Sequence, residues 1–225
     1  MPGTLYVVAT PIGNLDDFTP RARETFTAVD FILSEDTRVT SRLLQHCGIS
    51  KRLISYSEYS SDEKDKVIID NLLEGKNYAL VSDAGTPGIS DPGSRIVGLA
   101  VANDIQVIPV VGASAISAIA SIFGAPMTAL HFWGFFPTKK IRQSELVEYF
   151  TTIPGLHIYF ESPFRVQKTF ESCILPLEGF RVLIGREMTK KFESYHYGSP
   201  QEALAKMKAD TIKGEFCIAL QREKI

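Results

Sequence analysis

Short apolar runs alternate with helix-like patterns along the first half of the chain. Mostly apolar runs of three to five residues, typical of buried strands, occupy positions 5–9, 31–33, 53–56, 78–81 and 106–108. Helices are predicted between them, opening at Thr19-Pro20 and spanning 37–47, 62–74 and 94–103, with Gly48 and Gly75 as stops. This alternation predicts an α/β fold with a mostly parallel sheet and helices on both of its faces.

The second half of the chain has a different order of predicted helices and strands. A helix near 114–123 precedes an aromatic stretch at 132–136, and a basic turn at 137–142 leads into a helix that ends near Phe150. Strands are predicted at 157–160, 180–184, 193–197 and 216–220, with helices opening at Pro163 and spanning 201–209. We therefore expect two α/β domains, residues 1–112 and 113–225, the second with a mixed sheet.

Charge and cysteine content narrow the class of protein. The net charge is only −2, although residues 1–112 carry 10 basic and 15 acidic groups and residues 113–225 carry 14 and 11, so the second half is the better candidate for binding a polyanion. The three cysteines form no CxxC and the four histidines have no metal-ligand spacing, which predicts neither a disulfide framework nor a metal site. The sequence shows no signal peptide, and the apolar stretch at 105–123 is interrupted by Pro109 and Gly112, so we expect a cytoplasmic protein without membrane association.

The segment from Ser82 to Gly93 contains the strongest chemical signal. It lies between a predicted strand and a predicted helix and holds three glycines, two prolines and two aspartates. In open α/β sheets, ligands bind at this carboxyl end of the strands. The segment contains neither GxGxxG nor a P-loop, and Asp83 suits a cationic or hydroxyl-bearing ligand better than a phosphate. A purely structural turn is the less favoured interpretation.

Two further loops follow strands in the same way, at 10–17 and 109–115. By the same topological rule all three loops should line one cleft. Acidic and basic residues also meet at three strand ends, Glu35-Asp36-Thr37-Arg38, 161–165 and 186–191, where helix capping or surface ion pairs are the alternatives to ligand binding. The aromatic residues of 132–136 are expected to form core or a subunit interface more readily than to stack on bases.

The motifs appear in an order that resembles a known family. TPIGNL at 10–15, EDTR at 35–38 and SDAGTPGISDPG at 82–93 are followed by GFFP at 134–137, ESP at 161–163, REMTK at 186–190 and GE at 214–215. From position 5 to position 220 the sequence is similar to the ribosomal RNA small subunit methyltransferase I family, within the tetrapyrrole methylase superfamily.

The resemblance implies two α/β domains with S-adenosylmethionine in the cleft between them, and a homodimer. It implies methyl transfer to the ribose 2′-hydroxyl of a cytidine in 16S RNA of the small ribosomal subunit. Carried over by position, the cofactor-binding residues are Pro11, Asp83, Ala84, Gly85, Thr86, Pro87, Gly88, Ser114, Ala115, Phe160 and Glu161.

For that reaction the candidate catalytic residues, as a base for the hydroxyl, are Glu35 and Asp36. The candidates to hold RNA phosphates are Arg38, Lys139, Lys140, Arg142, Arg165 and Lys190.

The sequence departs from the family pattern at several positions. Val111 and Ala113 replace prolines of the third loop, and Phe164 replaces the histidine that usually follows Glu-Ser-Pro. Many family members carry a small C-terminal extension, whereas the printed sequence ends just after its last predicted strand; we expect this to affect RNA affinity more than methyl transfer. Two alternatives stay open: a tetrapyrrole methylase of the same fold, and a non-catalytic RNA-binding module, which the Gly/Pro/Asp loop disfavours.

Overall fold

The computed structural model describes residues 1–223 and divides the chain into two compact units, Met1–Ser114 and Ala115–Ile225. Within the described residues, no helix has both the length and the apolar character that a membrane span requires.

The first unit is built on a five-stranded parallel sheet in the order β3-β2-β4-β1-β5. This confirms the predicted α/β architecture. In chain order its elements are β1 (Thr4–Val8), a 3-10 turn (Leu15–Asp17), α1 (Pro20–Ala28), β2 (Phe31–Ser34), α2 (Thr37–Cys47), β3 (Arg52–Ser55), α3 (Asp62–Leu73), β4 (Tyr78–Val81), α4 (Ser94–Ala102) and β5 (Gln106–Val110).

Both faces of this sheet are buried, which explains why its central strands are continuous apolar runs. In β4, Tyr78 and Leu80 pack into one core, while Ala79 and Val81 pack into the core on the opposite face. Alternate residues of a strand point to opposite faces, so the two-sided burial requires apolar residues at every position.

Side-chain caps set the starts of the helices. The Thr19 hydroxyl accepts a hydrogen bond from the Ala22 amide at 3.1 Å, and Pro20 occupies the first helical position, as predicted. The helix α2 ends at Gly48, which adopts the left-handed conformation (φ 67°).

The second unit contains a mixed sheet in the order β6-β7-β10-β8-β9, in which β6 and β7 are parallel and the remaining neighbours are antiparallel. Its elements are α5 (Ala115–Ser121), β6 (Leu130–Phe135), α6 (Lys140–Thr152), β7 (Leu156–Glu161), α7 (Val166–Thr169), a π-helical turn (Phe170–Ile174), β8 (Phe180–Arg186), β9 (Ser194–Gly198), α8 (Pro200–Ala209) and β10 (Phe216–Arg222).

One predicted helix start is wrong. The helix expected to open at Pro163 begins at Val166, because residues 162–165 form a turn in which the Ser162 carbonyl accepts hydrogen bonds from the Arg165 and Val166 amides. The Glu161 carboxylate stabilises this turn. It accepts a hydrogen bond from the Ser162 amide at 2.7 Å and lies 2.6 Å from the Arg165 guanidinium.

Candidate functional site

The first two predicted loops are joined to each other by their backbones. Thr10 and Gly85 exchange two hydrogen bonds, with N···O distances of 2.9 and 3.0 Å, and the Thr10 hydroxyl donates to the Ser82 carbonyl at 3.3 Å. The strands that precede these loops, β1 and β4, are neighbours in the parallel sheet. The loops therefore share one edge of the sheet, as the topological rule predicts.

Glycine is required where this loop turns. Gly85 and Gly88 have φ values of 78° and 82°, a region that residues with a Cβ rarely adopt. A Cβ built at Gly88 would meet no atom within 4 Å, so the backbone there faces open space. That space leaves room for a ligand to lie against the main chain.

The third loop lies against the first. The Ala9 amide donates to the Val110 carbonyl at 3.1 Å, and a Cβ built at Gly112 would lie 3.1 Å from the Ala9 Cβ. Ser114 is half-buried at the end of this loop, and Ala115 opens α5 of the second unit. Of the other predicted cofactor residues in the first unit, Pro11 and Thr86 are half-buried, Pro87 is buried, and Asp83 and Ala84 are exposed.

Asp36 connects the loop after β2 to this edge. Its backbone amide donates to the Asp83 carboxylate at 3.0 Å, while its own carboxylate caps α2 by accepting the Arg38 amide at 2.8 Å. Hydrogen bonds from the Arg38 side chain, the closest at 2.6 Å, are the main reason that the pKa of Asp36 falls to about 2. Asp36 is thus a weakly basic carboxylate that forms an ion pair with Arg38.

Glu35 has the opposite electrostatic character. Desolvation, followed by repulsion from Asp83 and Asp91, raises the pKa of its carboxyl group. The pKa of Asp83 is also raised, first by partial desolvation, although the residue is exposed overall, and then by the Asp36 charge. Glu35 therefore lies within electrostatic range of three other carboxylates, Asp36, Asp83 and Asp91.

An open cavity of about 430 Å³ adjoins Glu35 and is lined by Glu35, Ser57, Glu58, Tyr59, Ser90, Asp91 and Pro92. Sequence reasoning missed the contribution of residues 57–59 from the loop after β3. The signal that could have found them is the strand order, because β3 lies beside β2 and its loop emerges at the same edge. Over residues 1–223, no group of histidine, cysteine or acidic side chains is arranged to hold a metal ion.

In the second unit, Glu161 is fully committed to internal contacts. One carboxylate oxygen lies 2.6 Å from the Arg165 guanidinium, and the other accepts the Thr169 hydroxyl at 2.9 Å. The Glu161 side chain has no solvent exposure. Phe160 is half-buried and packs edge-on against Phe132, with ring centroids 4.9 Å apart.

The predicted phosphate-binding residues differ in their availability. Lys139 and Lys140 are exposed, and Arg142 pairs with Glu145 at 2.9 Å on the surface. Lys190 contacts two carboxylates, Glu187 at 2.9 Å and Glu215 at 3.0 Å. Its positive charge is therefore already compensated.

The aromatic stretch is mostly core. Phe136 is buried, Phe132 and Trp133 are half-buried, and only Phe135 of these four rings is exposed. The Trp133 ring stacks on Tyr149 with centroids 5.4 Å apart, and its indole N–H donates to the His157 Nδ1 at 3.1 Å. This agrees with the preference for a core role.

Comparison with known proteins identifies the class. The sequence matches the family described as Tetrapyrrole (Corrin/Porphyrin) Methylases over residues 4–203. The fold is similar to the X-ray structure of cobalt precorrin-4 methyltransferase, a cobalamin biosynthetic enzyme, with a TM-score of 0.69 over 97% of this chain and 94% of the other, at 16% identity. The chain is a tetrapyrrole methylase by sequence and by fold, and thus a methyltransferase that uses S-adenosylmethionine.

Sequence relatives narrow the class to one family. The chain is 42% identical to ribosomal RNA small subunit methyltransferase I of Halalkalibacterium halodurans over 219 residues, which cover 97% of this chain and 76% of the relative. It is also 42% identical to the protein of that name from Synechocystis, with coverages of 97% and 78%. The chain belongs to the ribosomal RNA small subunit methyltransferase I family.

Proposed function

We propose that this enzyme transfers a methyl group from S-adenosylmethionine to the ribose 2′-hydroxyl of a cytidine in 16S RNA of the small ribosomal subunit. Relatives named for small-subunit ribosomal RNA support the RNA substrate, and the family resemblance supports the ribose of a cytidine. The observation that carries the proposal within the molecule is the crowding of Glu35, Asp83 and Asp91 at the edge where the three loops meet.

The residues at this edge fit the cofactor. S-adenosylmethionine carries a sulfonium and an ammonium cation, and a cation bound here would favour the charged forms of Glu35 and Asp83, whose pKa values are raised first by desolvation and then by neighbouring carboxylates. The open space beside Gly88 leaves room for the ribose and amino-acid parts of the cofactor. We propose that Asp83 and the backbone of 84–88, with Pro11 and Ser114, hold it. The cofactor roles of Ala115, Phe160 and Glu161 remain predictions.

Glu35 is the proposed general base. Bound S-adenosylmethionine supplies an activated methyl group, and the protein must bring the ribose hydroxyl into line and remove its proton. Asp36 is poorly suited because Arg38 lowers its pKa to about 2. Glu35 has a raised pKa and borders an open cavity, so it is the better proton acceptor.

Lys139, Lys140 and Arg142 are the proposed phosphate contacts of the second unit, with Arg165 beside them and Arg38 in the first unit. Lys139 and Lys140 are exposed and pair with no carboxylate in the described part of the chain. Arg38, Arg142 and Arg165 each pair with one carboxylate, and Lys190 is the weakest candidate because two, Glu187 and Glu215, compensate its charge.

We also propose that the protein is a homodimer in the cytoplasm. The dimer is an implication of the family resemblance, and sedimentation velocity of the purified protein tests it. Cys47, Cys173 and Cys217 are all buried free thiols, which supports a reducing compartment.

The decisive experiment is methyl transfer from labelled S-adenosylmethionine to small ribosomal subunits that lack the modification, followed by mapping of the labelled nucleotide. Label on a cytidine ribose in 16S RNA is the expected result. Transfer to a tetrapyrrole instead, with none to RNA, would identify the alternative substrate. Failure to bind the cofactor in a titration would favour a non-catalytic RNA-binding module.

A further inference from the structure

We propose that Phe164 is a stacking platform for an unpaired nucleobase of the RNA substrate, presented on a rigid turn by the buried Glu161–Arg165 pair. The inference rests on the proposed function and adds a residue that positions the substrate. Phe164 is 96% exposed to solvent, at the tip of the turn between β7 and α7. An aromatic ring so exposed contributes almost nothing to the core of its own unit.

The turn beneath Phe164 is unusually well fixed for a surface loop. The Glu161 carboxylate binds the Ser162 amide at 2.7 Å, the Arg165 guanidinium at 2.6 Å and the Thr169 hydroxyl at 2.9 Å. These contacts lie on both sides of Phe164 in the sequence. The exposed ring is therefore attached to a backbone held by a fully buried carboxylate, and it is presented without a large loss of loop entropy on binding.

The same pair connects this turn to the basic turn of the neighbouring strand. Arg165 donates to the Phe136 carbonyl at 3.2 Å, and Phe136 immediately precedes the turn that carries Lys139 and Lys140. Because β6 and β7 are parallel neighbours, both turns emerge at the same end of the sheet. Segments 137–142 and 162–168 together contain five basic residues. Arg142 and Arg165 pair with Glu145 and Glu161, whereas Lys139, Lys140 and Lys168 are exposed and form no ion pair with a carboxylate in the described part of the chain.

An exposed aromatic ring among cations suits single-stranded RNA. Bases of an unpaired strand stack on aromatic faces while lysine and arginine side chains follow the phosphates. A paired helix buries its base faces and offers nothing to the ring. A second copy of this chain is a less suitable occupant, because pairing this surface with itself would bring like charges together.

Binding of a labelled single-stranded RNA oligonucleotide with the 16S target sequence tests the inference, together with the KM for small subunits. Phe164→Ala and Phe164→Leu should each weaken RNA binding roughly tenfold, because stacking on one aromatic ring is lost. Phe164→Tyr should bind RNA nearly as well as the unmodified protein, because it keeps the aromatic face. The cofactor affinity and the thermal midpoint should not change in any of the three variants.

Phe192→Ala is the matched control. Phe192 is 66% exposed in the same unit and also has a lysine over its ring, Lys191 at 5.4 Å. This variant should bind RNA normally. A Phe164→Trp variant adds a direct readout, since its emission should be quenched by the oligonucleotide while Trp133 of the unmodified protein should respond far less.

Three results would overturn the inference. The first is RNA binding by Phe164→Ala that equals that of Phe192→Ala. The second is equal binding by the leucine and tyrosine variants, which would indicate generic apolar contact. The third is a change of sedimentation coefficient in Phe164→Ala, which would assign the ring to a contact between copies. A protein that binds the oligonucleotide through Phe164 but methylates no RNA would refute the proposed function and leave Phe164 as an RNA-binding residue only.

Discussion

The backbone amide of Asp36 donates a 3.0 Å hydrogen bond to the carboxylate of Asp83, 47 residues further along the chain. The loop after β2 thereby holds the Asp83 carboxylate, which belongs to the loop after β4. The carboxylate of Asp36 itself forms an ion pair with Arg38. Two adjacent acids, Glu35 and Asp36, consequently have opposite properties: one has a raised pKa and the other a lowered pKa.

Replacing Asp83 should remove cofactor binding without unfolding the protein. Asp83→Ala deletes an anion from the proposed site of a sulfonium cation, and its side chain is too exposed to support the core. Isothermal titration with S-adenosylmethionine should show a loss of affinity of at least tenfold, with a normal circular dichroism spectrum. Asp70→Ala, at an exposed position of α3, is the control and should bind normally. Unchanged affinity in Asp83→Ala would exclude this assignment.

Cofactor affinity should depend on pH in a defined direction. Glu35 and Asp83 have raised pKa values in the free protein, and a bound cation favours their deprotonated forms. Affinity should therefore decrease as the pH falls through these raised values, above the ordinary carboxyl range of about 4. Binding heats measured in buffers of different ionisation enthalpy should reveal proton release in that window. An affinity that stays constant down to pH 4 would contradict the expectation.

Glu35→Gln should lower kcat by roughly 10²–10⁴ with little effect on the KM for RNA, because it removes the proposed base and keeps the shape of the side chain. Single-turnover methyl transfer measures the effect on the chemical step. Asp36→Asn should lower kcat much less, since Arg38 already holds that carboxylate as an ion pair. A larger loss of kcat in Asp36→Asn than in Glu35→Gln would identify Asp36 as the base.

Removing the two lysines of the basic turn should weaken RNA binding without affecting cofactor binding. The double variant Lys139→Ala with Lys140→Ala should raise the KM for small subunits and reduce the salt dependence of RNA binding, because each lysine released from a phosphate removes one counterion contribution. Its affinity for S-adenosylmethionine should be unchanged. Lys66→Ala with Lys76→Ala removes the same charge from exposed positions of the first unit and serves as the control. Parallel losses of RNA and cofactor binding would argue against a phosphate-contact role.

Arg165→Ala should destabilise the protein. It leaves the Glu161 carboxylate buried without its cation, which costs about 3–5 kcal/mol for a buried pair; we expect the lower end because the Arg165 side chain is 33% exposed. Urea unfolding measures the loss. Adding Glu161→Gln should recover part of it by removing the uncompensated charge, whereas Arg142→Ala, which breaks only a surface pair, should change stability little. Full stability of Arg165→Ala would show that the pair contributes nothing.

The sequence by itself determined the elements and the chemistry of the loops. Apolar runs such as Tyr78–Val81 encode two-sided burial, Thr19 and Asp36 encode helix caps, and Gly85 encodes a left-handed turn; each signal depends on neighbouring residues alone. The motif order was specific enough to indicate the family. These features are local, so they can be recognised before the chain is folded.

Only the tertiary structure decided which residues face one another. The strand order β3-β2-β4-β1-β5 brings residues 57–59 beside Glu35 and links Asp36 to Asp83, and no local pattern encodes strand order. Ionisation follows from these neighbours, which is why the sequence alone could not separate Glu35 from Asp36. The same holds for Phe164: its sequence neighbours do not reveal that its own side chain is exposed while the Glu161 carboxylate is buried, because burial depends on residues distant in the chain.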